Sequence, residues 1–312
     1  MSLQTAPRPA ARAPEAQAPA GTTPPSAAAP RPVARPGRRR RGPLDAAGYL
    51  AMVAATVLLG APLLWMLLAS LKDRDELYRL PLQWLPGQAD LENYVQASQT
   101  IPLGRLLLNS VALTTVGSVL KVALGLCCAY ALVFLEVRFR RTVFVLVVAT
   151  LMIPPQITII PNYTLVADLG WLNTYQGILV PGLASAFGTF LFRQHFLTLP
   201  RSVVEAAELD GAGHWRTLWR VVVPMSLPTV AAVGLVSVVT EWNDYLWPFL
   251  VVDDAEKMTL PVGLTLLQNI DGMTNWGVLL AATVVVTLPV LLVFLVLQRR
   301  LVAGLTSGAV TG

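Results

Sequence analysis

The sequence predicts an all-α membrane protein: a bundle of six transmembrane helices behind a disordered N-terminal tail. Three observations predict it. Of 312 residues, 54% are apolar and only 13% charged, with a mean hydropathy of +0.59. Soluble domains carry about 25% charged residues. Six apolar runs are long enough to cross a bilayer, which takes about 20 residues in a helix. The runs are continuous rather than alternating, which selects helices over a barrel, the other structure that satisfies its backbone in lipid.

The chain divides as follows. Residues 1–43 are Pro/Ala-rich, end near Arg38-Arg39-Arg40-Arg41, and cannot build a core, so they are expected to be disordered. The run Ala46–Leu71 has 26 residues without a charge, longer than the apolar part of a cleaved signal. A twin-arginine export signal has little support beyond the arginines themselves. The first span is expected at 47–71, and residues 44–104 comprise it and an outer loop with Lys72 to Glu76, Trp84 and Pro86. The second span is expected at 107–135, followed by a short basic loop with Arg138, Arg140 and Arg141. The third, 142–166, contains Pro154, Pro155 and Pro161 and is expected to kink or break. The fourth, 176–194, carries Gly182 and Gly188, which suit close helix packing. The fifth is expected at 225–250, then an acidic loop with Asp253, Asp254, Glu256 and Asp271. The sixth, 276–298, is closed by Arg299 and Arg300, and residues 301–312 form a C-terminal tail.

The net charge of +5 reads as a topology signal rather than a nucleic-acid footprint. With the N-terminus inside, cytoplasmic segments hold 17 of the 23 Lys and Arg residues and outer segments hold 5. The positive-inside rule therefore places both termini in the cytoplasm. It places the loop between spans four and five there as well.

That loop holds Glu205-Ala206-Ala207-Glu208-Leu209-Asp210-Gly211-Ala212, continued to Val221-Val222-Val223-Pro224. A short helix is expected at 202–211. Ser202 with Glu205 makes a capping-box pattern at its start, and Gly211 stands where a left-handed C-terminal cap falls. So short a helix is not stable alone and needs a partner. Ala206 and Ala207 leave its backbone approachable, while Glu205, Glu208 and Asp210 offer charge. The plain alternative is an acidic loop helix between two spans.

Glu-Ala-Ala, three residues, Gly211, nine residues, then Val221, any residue, Val223 and Pro224 resembles the EAA signature of permease subunits of binding-protein-dependent ABC importers. Val221 and Val223 replace its usual Ile and Leu. Asp210-Gly211-Ala212 is similar to the carbohydrate branch of that family, as are Ala129-Tyr130-Ala131-Leu132, Leu191-Phe192-Arg193-Gln194 and Gly304-Leu305-Thr306-Ser307. Tyr245-Leu246-Trp247-Pro248 looks closer to glycerol-3-phosphate permeases. The resemblance covers about 47–312, with a core permease domain over 105–300.

The resemblance implies a type I importer fold on the bacterial cytoplasmic membrane. It also implies a coupling helix whose Glu205, Ala206, Ala207, Asp210, Gly211 and Pro224 engage an ABC ATPase subunit. A second homologous permease subunit and an extracytoplasmic solute-binding protein complete the expected partners, besides membrane lipid; no nucleic acid is expected. No phosphate-binding Gly-x4-Gly-Lys-Ser/Thr loop occurs in the sequence, so no cofactor is expected in this chain, and ATP and Mg²⁺ belong to the partner ATPase. The implied function is ATP-driven import of a carbohydrate or glycerol phosphate. The competing class is an ion-coupled secondary transporter, which also uses broken helices and membrane charges. An intramembrane enzyme would need a nucleophile and a base within the spans, and no histidine lies clearly in one. His195 and His214 stand 19 residues apart without further metal ligands at suitable spacing.

Two features within the spans bear on solute. Lys121 lies mid-span, where a charge is costly and must face the bundle interior or water. Glu241 and Asp244 are its nearest candidate partners, as an ion pair holding two helices or as a polar lining. Asn243, Asp244 and Trp247 combine polar groups with an aromatic face, as a sugar site does, although aromatics also gather at any membrane interface.

Overall fold

A computed structural model describes residues 43–268 and 274–307, with the side chains of residues 47–268 and 274–295. The expected tail disorder, the acidic Asp271 and the end of the C-terminal tail lie outside the described residues. Among the described residues, all regular structure is helical.

Among the described residues, three helices are continuous and apolar enough to cross a membrane. They are α1 (Pro43–Ser70), α4 (Leu103–Phe134) and α15 (Trp276–Ser307). Two short helices, α2 (Arg74–Leu77) and α3 (Glu92–Thr100), fill the loop after α1. The side-chain amide of Asn93 on α3 donates to the carbonyls of Ser70 and Lys72 at 3.0 and 2.7 Å, so it satisfies groups that the end of α1 leaves without partners. The Lys72 ammonium lies 4.6 Å from the Trp65 ring centre, and Trp84 packs edge-on against that ring.

The remaining spans are broken. Helices α5 (Arg140–Thr150) and α6 (Pro155–Asp168) meet at 97°. The break is where Pro154 and Pro155 predict it, because neither can donate an N–H to the ladder. Pro161, by contrast, sits inside α6 without interrupting it. Helix α7 (Tyr175–Leu179), extended to Gly182, and α8 (Ala186–Phe196) meet at 43°. After α9 (Arg201–Leu209), the segment α10 (His214–Thr217) to α11 (Val223–Met225) turns by 87° into α12 (Leu227–Trp242).

The fifth span is not the continuous 225–250 helix that its composition predicts. Helix α12 ends at Trp242, and α13 (Leu246–Val251) resumes after a break. The side chain of Asn243 causes the stop: its amide donates to the Val239 carbonyl at 2.7 Å and caps the helix end. The 16 residues of α12 span roughly 24 Å, short of the ~30 Å hydrocarbon layer, and the bent pair long and apolar enough to cross joins α12 to the preceding segment His214–Met225.

Helix α4 packs along α8 and α12, while α15 packs on α12 and α3. Gly125 on α4 faces Gly188 and Phe192 on α8, and a Cβ built on Gly125 would lie 3.4 Å from the Gly188 backbone. Gly188 therefore serves close packing as its residue type predicts. Gly182 does not: its nearest neighbour is the Lys121 side chain.

Two apolar clusters hold the bundle. One joins Leu106 and Leu113 of α4 to Ile178, Trp242, Val251 and α14 (Leu260–Gly263). The other joins Leu126, Ala129 and Tyr130 of α4 to Phe192, Phe196, Val204, Leu218, Val222 and Val233. Because Gly125 and Gly188 leave room for one backbone on the other, Gly125→Leu should overpack this crossing and cost about 1–3 kcal/mol. The expected outcome is a lower melting temperature of the detergent-solubilised protein, with Gly104→Leu, at an open position, unchanged.

Candidate functional site

Two features carry candidate chemistry: the exposed helix α9 and a cavity between α4, α6 and α12. Helix α9 starts at Arg201 with Pro200 at its N-cap and no side-chain cap bond. The capping box of Ser202 and Glu205 is thus not formed. Pro200 is fixed for the turn into the helix, and the start one residue earlier puts Ser202 inside the first turn. The C-terminus matches the sequence. Gly211 has φ +77°, its N–H donates to the Glu208 carbonyl, and the Ala212 N–H donates to the Ala207 carbonyl at 2.9 Å. This paired closure is the Schellman arrangement, and it fixes where the chain leaves the helix.

Only one side of α9 is held. Val204 is buried against the Phe192–Phe196 and Leu218–Val222 cluster. Glu205, Ala206, Glu208 and Asp210 are exposed, and Leu209 is 89% exposed. Beyond it, the chain widens to a π-helical turn over Leu218–Val222, with Val223 N–H donating to the Leu218 carbonyl. Pro224 follows at once and Pro228 lies four residues further. Neither has an N–H, so the ladder fails twice around buried Ser226, whose hydroxyl takes over the Val222 carbonyl at 2.7 Å.

The cavity has a volume of about 320 Å³ and is lined by residues of α4, α6, α7, α12 and α13. Lys121 and Glu241 form an ion pair in its wall, each side chain about one-sixth exposed. Gly117 makes room for it: a Cβ there would lie 2.7 Å from Glu241 Oε2. Asp244 and Trp247 also line the cavity. The Trp247 indole N–H donates to the Gly177 and Ile178 carbonyls at 3.2 and 3.1 Å, which fixes its ring on the broken α7. Asn243 lies outside the lining and is occupied in capping α12. The structure thus brings Asp244 and Trp247 together and leaves Asn243 apart.

The sequence reading did not anticipate Ser110 and Thr114 of α4, or Gln156, Thr158 and Asn162 of α6, which also line the cavity. A signal for them exists. Ser110, Thr114, Gly117 and Lys121 recur at helical spacing and make one polar stripe on an apolar span, and Thr158 and Asn162 repeat it on α6.

A family model for the inner membrane component of binding-protein-dependent transport systems matches residues 121–307. The chain belongs to this family. The sn-glycerol-3-phosphate transport system permease protein of Brucella suis is 34% identical over 268 residues, covering 83% of this chain and 95% of its own length. The corresponding protein of Pectobacterium atrosepticum is 34% identical over 275 residues, covering 86% and 98%. Among solved structures, a chain of a bacterial ABC transporter involved in import of the acidic polysaccharide alginate superposes with a TM-score of 0.75 at 24% identity, over 84% of this chain and 97% of that one. The chain is therefore a multi-pass permease subunit of a binding-protein-dependent importer in a bacterial membrane.

In this permease the ion pair joins the two helices that flank the cavity. Its stability follows a known asymmetry: removing one partner leaves an uncompensated charge and costs on the order of 3 kcal/mol, while replacing both by apolar groups is near neutral. Lys121→Met alone should lower the melting temperature of the solubilised protein, and Lys121→Met with Glu241→Met should recover most of the loss. Gly117→Ala should also destabilise, because its Cβ would lie 2.7 Å from Glu241 Oε2 and push the paired carboxylate away.

Proposed function

We propose that this permease subunit works with a second homologous permease, two ABC ATPase subunits and an extracytoplasmic solute-binding protein to import a carbohydrate or glycerol phosphate. ATP and Mg²⁺ are held by the ATPase. Both termini and α9 face the cytoplasm, in keeping with the distribution of Lys and Arg. The cavity near the middle of the bundle is part of the solute pathway, with Asp244 and Trp247 in its wall.

The observation that carries the coupling role is the half-held state of α9. Val204 anchors it to the bundle, a left-handed cap fixes its end, and the face bearing Glu205, Ala206, Glu208 and Leu209 is uncovered. A conformational change is driven only by contacts that differ between two states. An ATPase that grips this face when it binds ATP would pull on Val204, and through it on the cluster reaching α4, α8 and α12. Pro224 and the turn at Ser226 give the following segment a defined bend rather than a continuous helix.

The test is copurification and uptake with two α9 variants. Glu205→Lys reverses a charge on the exposed face. Gly211→Asp places a side chain at φ +77°, a conformation that costs a non-glycine residue about 1 kcal/mol or more. Both should insert in the membrane at normal levels, yet retain less ATPase in pull-down and transport at least about tenfold more slowly. Normal ATPase retention with normal uptake in both variants would refute the coupling role.

A further inference from the structure

We infer that the cavity between α4, α6 and α12 admits an uncharged polyhydroxylated solute, a neutral sugar or polyol, and discriminates against a phosphate ester. The inference rests on reading this cavity as the solute pathway and narrows the solute within it. Among its lining residues, three carry charge: Lys121, Glu241 and Asp244. The Lys121 ammonium is spent on Glu241. Asp244 remains as a further acidic group, so the wall holds no uncommitted cation.

A phosphate monoester carries a charge of about −1.5 to −2 near neutral pH. Its recognition needs an uncommitted Arg or Lys, or a run of free backbone N–H groups. Lys121 is the sole cation among the lining residues, and it is already paired. The N-terminus of α6 does open on the cavity through Pro155 and Gln156. However, Pro155 has no N–H and the Ile157 N–H is taken by the Pro154 carbonyl at 3.0 Å, so beside the Gln156 N–H this terminus offers no run of adjacent free donors. An anion entering here would meet Asp244 at close range in a poorly screened site.

A neutral sugar meets complementary groups. The hydroxyls of Ser110 and Thr114 and the amides of Gln156 and Asn162 can each donate and accept. The Asp244 carboxylate can accept from two neighbouring hydroxyls of a diol. The Trp247 ring, pinned by its indole N–H, gives a flat apolar surface for the C–H face of a pyranose. At about 320 Å³ the cavity is at the small end of ligand pockets. The bacterial relatives named for glycerol-3-phosphate would then differ from this chain in solute.

The experiment is uptake into proteoliposomes carrying the complete importer: this chain, its partner permease, the ATPase and the binding protein. The probes are a panel of ¹⁴C-labelled neutral sugars and polyols, and labelled sn-glycerol-3-phosphate. The expected result is ATP-driven uptake of at least one neutral solute about tenfold faster than the phosphate. Phosphate uptake equal to or faster than every neutral solute overturns the inference. So does uptake of no probe at all by an importer whose ATPase responds to its binding protein, since the solute is then of another class. Asp244→Lys should narrow the neutral-to-phosphate ratio at least about threefold, and Asp244→Asn, which keeps the shape, by a smaller factor. An unchanged ratio in both overturns the assignment of selectivity to this wall, while ATP-driven import stands. Undiminished uptake in Thr114→Trp, which fills the cavity, would instead sink the pathway reading itself.

Discussion

The bundle depends on one electrostatic constraint, the pairing of Lys121 with Glu241 inside the membrane. Neither charge tolerates hydrocarbon alone, so the two side chains must face each other. That requirement fixes the rotation of α4 against α12. It also explains Gly117, since the Glu241 carboxylate lies so close to α4 that a Cβ there would come within 2.7 Å of Oε2. Along α4 the pair falls between two apolar clusters, one through Leu106 and Leu113 and one through Leu126 to Tyr130. The upper cluster borders the cavity and the lower one reaches α9. A single uninterrupted helix thereby connects the cavity with the cluster that holds α9.

The interruptions elsewhere follow from the same solvent. In lipid, irregular backbone survives only where protein or a water-filled space satisfies it. The break between α5 and α6 opens on the cavity through Pro155 and Gln156. The break after α12 opens on it through Asp244 and Trp247. The break at Ser226 is satisfied internally by the Ser226 hydroxyl and lies next to the lower cluster. Broken helices thus supply both the wall of the cavity and the bend behind α9, while α4 runs uninterrupted past both.

Much of this was legible in the sequence, and the failures have physical causes. Continuous apolar runs pointed to the stretches that form, among the described residues, three unbroken helices and three bent pairs, because a helix crossing lipid needs about 20 mostly apolar residues whereas a barrel strand alternates. Pro154-Pro155 gave the break before α6, and Gly211 gave the left-handed cap of α9, because each residue has one backbone property that context cannot change. The capping box at Ser202 failed since Pro200 set the helix start, and side-chain caps depend on a one-residue register. The end of α12 was not visible because Trp242-Asn243-Asp244-Tyr245 contains neither Pro nor Gly. There the stop comes from an Asn side chain folding back on Val239. Lys121 pointed to Glu241 or Asp244, but only packing could choose between them. The polar stripe from Ser110 to Lys121 was present in the sequence and becomes meaningful once α6 is seen opposite it.

The central claim is that α9 and the loop of Asp253–Asp254 lie on opposite faces of the membrane, linked through the paired helices. Single cysteines placed at Glu208 and at Asp253, in a background with Cys127 and Cys128 replaced by Ser, test it directly with a membrane-impermeant maleimide. The account predicts that in intact spheroplasts only the cysteine at 253 reacts, and in inside-out vesicles only the one at 208. Reaction of the cysteine at 208 in intact spheroplasts, with 253 protected, would contradict it.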